Sequence, residues 1–354
     1  MERELIRYIP SASAVVGDNI YFTDLYTNAL FRFNMKEKRS ICVAQFDDEP
    51  CRKKELYTDI VVGNDVLCCV PHSAKTIGLY YLNTKTTESI KLPEELQKEE
   101  VTFKCGCICG EELFLFGYNV EGIWHVNIKE KCIRKFLCNV DCDNSGKFFL
   151  ACMNSGEKIY AVCREENVIW ELNIYAPYIK KITLDEKKNW GFAGIVRWGE
   201  YLLLNSCKEH NVSIYNLIEN AIVYKLDVEM ASEEWPFAGG VVNDEGVVYF
   251  PVAKEDTILS IDIKNKWEEL QKIRLQKVND TMLPWGNPVI CDGKVVIWKY
   301  QSNFLFMYDY KLNKFETVDL ISETTPKLNG LYLSGRVVQE GEYSLLEFIE
   351  NLVE

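Results

Sequence analysis

A glycine returns every 43 to 48 residues along this 354-residue chain, and each return opens a short apolar run. The anchors are Gly17, Gly63, Gly110, Gly156, Gly199, Gly246, Gly293 and Gly341. A period in the mid-forties with β-branched and aromatic content marks a repeat architecture, the all-β propeller, in which each unit is one four-stranded antiparallel blade. A chain of this length then forms one closed domain over residues 1–354.

The units read as strands. After each glycine comes a second strand, at 19–23, 66–70, 113–117, 159–163, 201–205, 247–251 and 295–299, rich in Val, Ile, Leu, Tyr and Phe. Gly followed by Asp, Asn or Glu suits the tight hairpin before it, where a positive φ is wanted. The third strand ends on Asn34, Asn83, Asn127, Asn173, Asp262 or Asp309. An Asn or Asp there caps the next turn by bonding its own backbone two residues on. The residues one and three positions earlier, such as Phe31 and Phe33, share a face and are expected in the interblade core. The fifth unit departs, with Ile218 near the expected cap position, so a different turn is expected there.

In period and strand pattern, across almost the whole chain, the sequence resembles the broad kelch-like and WD-like β-propellers. It lacks the kelch double glycines and the WD dipeptide at their usual places, so the resemblance implies the fold and no single family.

Seven units are complete. The eighth glycine carries a partial unit, since 334–345 parallels 193–203, and Glu4–Pro10 resembles the strand-D segment Glu88–Pro93. Joining both termini in one blade removes exposed strand edges. Eight units of about 46 residues, less one strand of roughly 14, come to about the observed length. The expectation is therefore eight blades, the last closed by the N-terminal strand. The competing reading makes 344–353 a helix, from the capping-box spacing of Ser344 and Glu347, and leaves seven blades.

Composition is ordinary for a globular protein, with 47% hydrophobic and 26% charged residues, which excludes a disordered chain. A net charge of −13 repels phosphate backbones and anionic head groups, so neither nucleic acid nor membrane is expected as a partner. The first residues carry no apolar signal core, and no stretch is long enough to span a bilayer. The 14 cysteines then read as reduced core thiols of a cytoplasmic protein. Cys105, Cys107 and Cys109 share one strand face with neighbours nearly 7 Å apart, which suits buried seam thiols better than tetrahedral zinc. No metal site is expected. With no phosphate loop, nucleophile elbow or zinc-protease motif, no cofactor is expected either.

The face built from the D–A and B–C connections is where a ligand would bind. The D–A connections repeat acids followed by aromatics: Trp190 and Phe192, Trp235 and Phe237, and Trp285, with Tyr57, Phe103 and Phe148 in comparable places. Indole and phenyl faces bordered by carboxylates suit sugar rings or cationic groups. As repeat residues, they equally suit packing between blades. His72 and His210 fall in B–C connections on the same face, where a histidine–carboxylate pair could carry acid–base work or simply line a solvated turn. His125 sits mid-strand beside Trp124 and reads as structural.

The sequence thus favours a non-catalytic binding or scaffold propeller that takes a glycan-like small molecule or a protein segment on this face. The alternative is a propeller enzyme acting on a carbohydrate or related metabolite at the channel mouth. The candidate ligand-binding residues are Trp190, Phe192, Trp235, Phe237, Trp285, Tyr57, Phe103, His72 and His210.

Overall fold

A computed structural model describes residues 5–323, apart from 52, 137–145, 176, 186–190, 230–236, 253–254, 266, 268–269, 276–284 and 301. Seven antiparallel four-stranded units follow one another in chain order, each with its strands A to D in sequence. The A strands are Pro10–Val16, Tyr57–Val62, Phe103–Cys109, Phe149–Ser155, Phe192–Trp198, Val241–Val242 and Val289–Cys291. Each contacts the next, and the seventh contacts the first, so the ring is closed by seven blades. Among the described residues the only helix is a single 3-10 turn, Leu96–Lys98, and none is long and apolar enough to cross a membrane.

The core lies in the seams. Seven apolar clusters are present, one between each pair of neighbouring blades. This follows from strand alternation: both faces of a blade are covered, so successive residues of the B and C strands point into different seams. Phe31 and Phe33 are fully buried in the seam between the last blade and the first, as their spacing before Asn34 predicts.

That seam corrects the blade count. Trp298, Leu305 and Met307 of the seventh blade pack with Phe22, Phe31 and Phe33 of the first, which leaves no place for an eighth. The N-terminal strand is real but lies elsewhere. Leu5–Arg7 pairs antiparallel with Ile321–Glu323, which runs parallel to Arg39–Gln45, the outermost strand of the first blade. Both ends of the described chain therefore cover the first blade's edge. Tyr8 anchors this addition, stacked on Phe31 at 4.0 Å with its hydroxyl 2.9 Å from Ser40 Oγ. The partial unit at 334–345 and the helical alternative at 344–353 lie outside the described residues.

Local signals act as expected in most units. Six of the seven described anchors have positive φ, from 57° at Gly17 to 85° at Gly246. Gly63 is the exception and serves packing instead, since a Cβ there would sit 2.9 Å from Ile108 Cδ1. Asn34 accepts from the N–H groups of Lys36 and Glu37 at 3.0 and 2.9 Å, and Asp262 and Asp309 do the same for their own turns. The second blade departs: Lys85 N donates to Tyr81 O at 2.8 Å, and Asn83 gives its own N–H to Asp65 Oδ1 at 2.9 Å.

The fifth unit is no exception after all. Its third strand, Asn211–Asn216, ends on Asn216, whose Oδ1 accepts from Ile218 N at 2.8 Å and Glu219 N at 3.1 Å. The cap lies two residues before the position expected from sequence. Asn216→Ala is expected to lower stability by about 1 kcal/mol, read as a lower urea midpoint at unchanged slope.

Candidate functional site

Every A strand starts in the same way. Tyr57, Phe103, Phe149 and Phe192 each pair with the last residue of their B strand, and one residue is then skipped as a bulge. Phe237 and Trp285 make the equivalent bridges to Val252 and Lys299. These six residues are therefore one repeat position. Each is buried in the seam with the preceding blade, at no more than 4% exposure.

The register bears on the expected aromatic platform. Trp285 is equivalent to Phe192 and Phe237, not to Trp190 and Trp235, and its indole donates to the Glu255 carbonyl at 2.8 Å. Tyr57, Phe103, Phe192, Phe237 and Trp285 are thus seam residues, and the Trp285 ring is also covered by Lys299 Nζ at 4.6 Å. Burial of the repeat core is the physical reason. Phe148 is one residue off the repeat position, which Phe149 occupies. Trp190 and Trp235 lie outside the described residues.

The histidines separate. His125 is structural: its ring contacts Glu112, stacks on Phe114 at 5.3 Å and accepts from Arg134 Nε at 3.4 Å. His210 opens onto a shallow cleft of the fifth blade with Lys208, Asn211 and Lys225. Glu209 there is held by Asn211 Nδ2 at 2.7 Å and Lys225 Nζ at 3.0 Å. An adjoining cavity of about 130 Å³ lies between the fourth and fifth blades, lined by Asn167, Ser206, Ser213 and the edge of Phe192. His72 lies three blades away from His210, so the two are not brought together.

Around His72 the structure assembles a cluster that the sequence reading missed. Seven backbone hydrogen bonds run as an unbroken chain across four blades: His72 N to Leu56 O, Thr102 N to His72 O, Tyr118 N to Thr102 O, Phe148 N to Tyr118 O, Arg164 N to Phe148 O, Gly191 N to Arg164 O, and Cys207 N to Gly191 O. Their lengths are 2.8–3.0 Å. This belt places His72, Tyr118 and Arg164 at one repeat position, directly after strand B. Tyr300 follows Lys299 in the same way in the seventh blade.

Glu55 and Lys104 join that ring. Lys104 Nζ lies 3.7 Å from Glu55 Oε1 and 5.7 Å from the centre of the Tyr118 ring, which meets Phe148 edge-on at 5.5 Å. Glu55 and Phe148 have φ of 54° and 57°, and the other described non-glycine residues with positive φ all sit in A–B or C–D turns. Among the described residues, positive-φ backbone outside glycine on the D–A/B–C face is thus confined to Glu55 and Phe148, both beside this cluster.

Burial sets the electrostatics. His72 is 7% exposed, and its Nδ1 has no hydrogen-bond partner among the described residues. Desolvation, with the Lys104 and Lys53 charges, pushes its pKa down to about 3 against the pull of the Glu55 carbonyl, so the ring is neutral at pH 7. Burial also lowers the Lys104 ammonium, with Glu55 opposing. Burial raises the Tyr300 phenol, and the Glu55 charge adds to it. Deeper in the first turn of strand A, burial raises Asp59 to about 6 although its carboxylate accepts from Ile60 N and Gly106 N. Cys105 and Cys107 lie in the seam between the third and fourth blades, as their alternation predicts.

A signal for this cluster did exist in the sequence. His72, Tyr118, Arg164 and Tyr300 form a polar and aromatic column one step beyond the B strands. Glu55 and Lys104 carried none, because a single acid or lysine in a connection is ordinary.

The sequence matches no protein-family profile and no curated protein. Solved structures do match. A streptogramin B lyase superposes with a TM-score of 0.63 at 12% identity, covering 84% of this chain and 94% of that one. The WD40 repeats of RRP9 give 0.62 at 9% identity, covering 85% and 92%. This chain is a seven-bladed β-propeller. A chain of the mitotic checkpoint complex gives 0.57 at 9% identity, covering 89% and 90%. At such identities the likeness establishes the fold alone.

Proposed function

We propose that this propeller is a non-catalytic binding module that takes a protein segment at the channel mouth of its D–A/B–C face. The observation that carries this reading is the cluster of Glu55, His72, Lys104, Tyr118 and Tyr300, drawn from three separate stretches of chain and backed by the hydrogen-bonded belt. It combines a cation, a carboxylate, phenols and an unpartnered buried nitrogen. Such a set matches the amides and side chains of a peptide, where each polar group needs a counterpart. The neighbours include WD40 repeats and a chain of a checkpoint assembly, which agrees with a protein partner.

A glycan-like ligand has less support. The described aromatics that would stack on a sugar are buried in seams, and a sugar platform would fall to Trp190 and Trp235. An enzyme of carbohydrate chemistry would need paired carboxylates, whereas Glu55 at the mouth is paired with a cation.

Selection from a random peptide library, followed by calorimetry, tests the proposal. Selected peptides should lose at least about tenfold in affinity, near 1.4 kcal/mol, on the Lys104→Ala/Tyr118→Ala variant. Peptides that bind both proteins equally would refute it. So would a saturable change of tryptophan fluorescence with oligosaccharides and no peptide binding.

A further inference from the structure

The opposite face, formed by the A–B and C–D turns, carries a second surface. Two residues after the cap of each C–D turn stands Lys36, Lys85, Lys129, Lys264 or Lys311 in five of the blades. In the adjacent fourth and fifth blades that position holds Tyr175 and Ile218, exposed at 72% and 73%. Their turns are built like those of Lys36, Lys264 and Lys311, with Asn173 Oδ1 accepting from Tyr175 N at 3.0 Å and Asn216 Oδ1 from Ile218 N at 2.8 Å. The turn geometry therefore accepts lysine, and nothing local calls for an apolar side chain in these two blades.

Aromatic area continues from Ile218 towards the sixth blade. Tyr201 meets Trp267 edge-on at 4.9 Å, and Tyr224, itself exposed, stacks on the same indole at 6.1 Å. Trp198 beside them already accepts a cation over its ring, from Lys264 Nζ at 5.6 Å. Tyrosine and isoleucine where the other blades carry lysine, next to half-buried tryptophan, is the composition of a binding surface rather than of solvated turns.

Charge indicates what would cover it. The turns carrying Tyr175 and Ile218 are tied by backbone bonds to Glu157 and Glu200, with Ile174 N to Glu157 O at 3.4 Å and Leu217 N to Glu200 O at 2.8 Å. Glu157 and Glu219 are exposed next to them, on a chain with net charge −13. Glu157 near exposed Tyr175 and Glu219 beside exposed Ile218 complement a segment with basic and apolar side chains, which gains ion pairing with the acids and apolar contact with Tyr175 and Ile218. We infer that the A–B/C–D face of the fourth to sixth blades docks a basic, apolar-bearing segment of a partner protein, separately from the channel mouth.

The probe is a fluorescein-labelled peptide alternating leucine with arginine, read by anisotropy against the full chain, with a leucine–glutamate peptide as control. Two variants are compared after checking that their melting curves match the wild type. Tyr175→Lys/Ile218→Lys restores the residue of the other blades, and Tyr175→Ser/Ile218→Ser removes the apolar groups without adding charge. Expected is saturable binding of the arginine peptide, weakened about tenfold or more by the serine pair and further by the lysine pair. Equal affinity for the serine pair would overturn the inference, since attraction would then be charge alone. Equal binding of the glutamate peptide would overturn it as well. Sedimentation showing a wild-type dimer that either variant dissolves would assign the surface to a second copy of this chain instead.

Discussion

Trp298→Ala is expected to cost about 3–5 kcal/mol, the range of a fully buried aromatic truncation. Trp298 is 1% exposed at the seam that closes the ring, edge-on to Phe22 at 5.8 Å. It also sets its surroundings: a Cβ on Gly286 would fall 2.2 Å from its ring, so no larger residue fits beneath it. A cavity here lies between the first and last blades, under the chain that passes from Lys314–Asp319 of the seventh blade to Ile321–Glu323 on the edge of the first. Trp298→Phe is expected to cost much less, because the indole N–H is buried without a partner among the described residues and phenylalanine removes that unmet donor. Urea unfolding of both variants, with exposed Leu312→Ala as reference, checks the order. A loss below about 1 kcal/mol for Trp298→Ala would mean that this seam is loosely packed.

Acid should expose His72. Its native pKa is about 3, below the unfolded value of about 6.5, so the unfolded chain takes up its proton first as pH falls. The stability from keeping the ring neutral is fully present above about pH 6.5 and is lost downward, at about 1.4 kcal/mol per pH unit, to about 3 kcal/mol by pH 4. Asp24 and Asp59 act in the opposite sense. Burial raises each to about 6 from the ordinary carboxylate value of 3.8, so the native state takes their protons first. Each opposes folding by about 3 kcal/mol at pH 7, and that penalty is relieved as pH falls from about 6 to about 4.

The wild type therefore shows the difference of these effects, and His72→Gln separates them. Between about pH 7 and pH 4 the variant should gain about 3 kcal/mol relative to wild type. Urea midpoints taken across that range measure it. A variant whose stability runs parallel to the wild type at every pH would show that His72 titrates in the folded protein much as it does in the unfolded chain.

The repeat, the strands and the two loop faces were legible in the sequence because their causes are local. Gly17 and its counterparts report a backbone dihedral, Asn34 and Asp262 report a turn bond, and Phe31 with Phe33 report strand alternation. None of these needs a partner far along the chain. Reading Ile218 as a departure failed by two residues because Asn216 gives the same signal slightly earlier, and only the pairing of Tyr201 with Asn216 resolves the register.

Tertiary structure decided the rest. Blade number follows from the angle at which seam side chains hold adjacent sheets, and the contact of Trp298 with Phe22 closes the ring at seven, whatever the partial eighth unit suggests. Aromatic repeats such as Trp285 looked like a ligand platform because sequence records identity and spacing but not which way a bulge turns a side chain. The cluster around His72 came last, since Lys104 meets Glu55 and the Tyr118 ring only when the second and third blades pack side by side. Periodicity along the chain sets local conformation, whereas contacts between blades depend on how the blades pack, which brings together residues that no local rule relates.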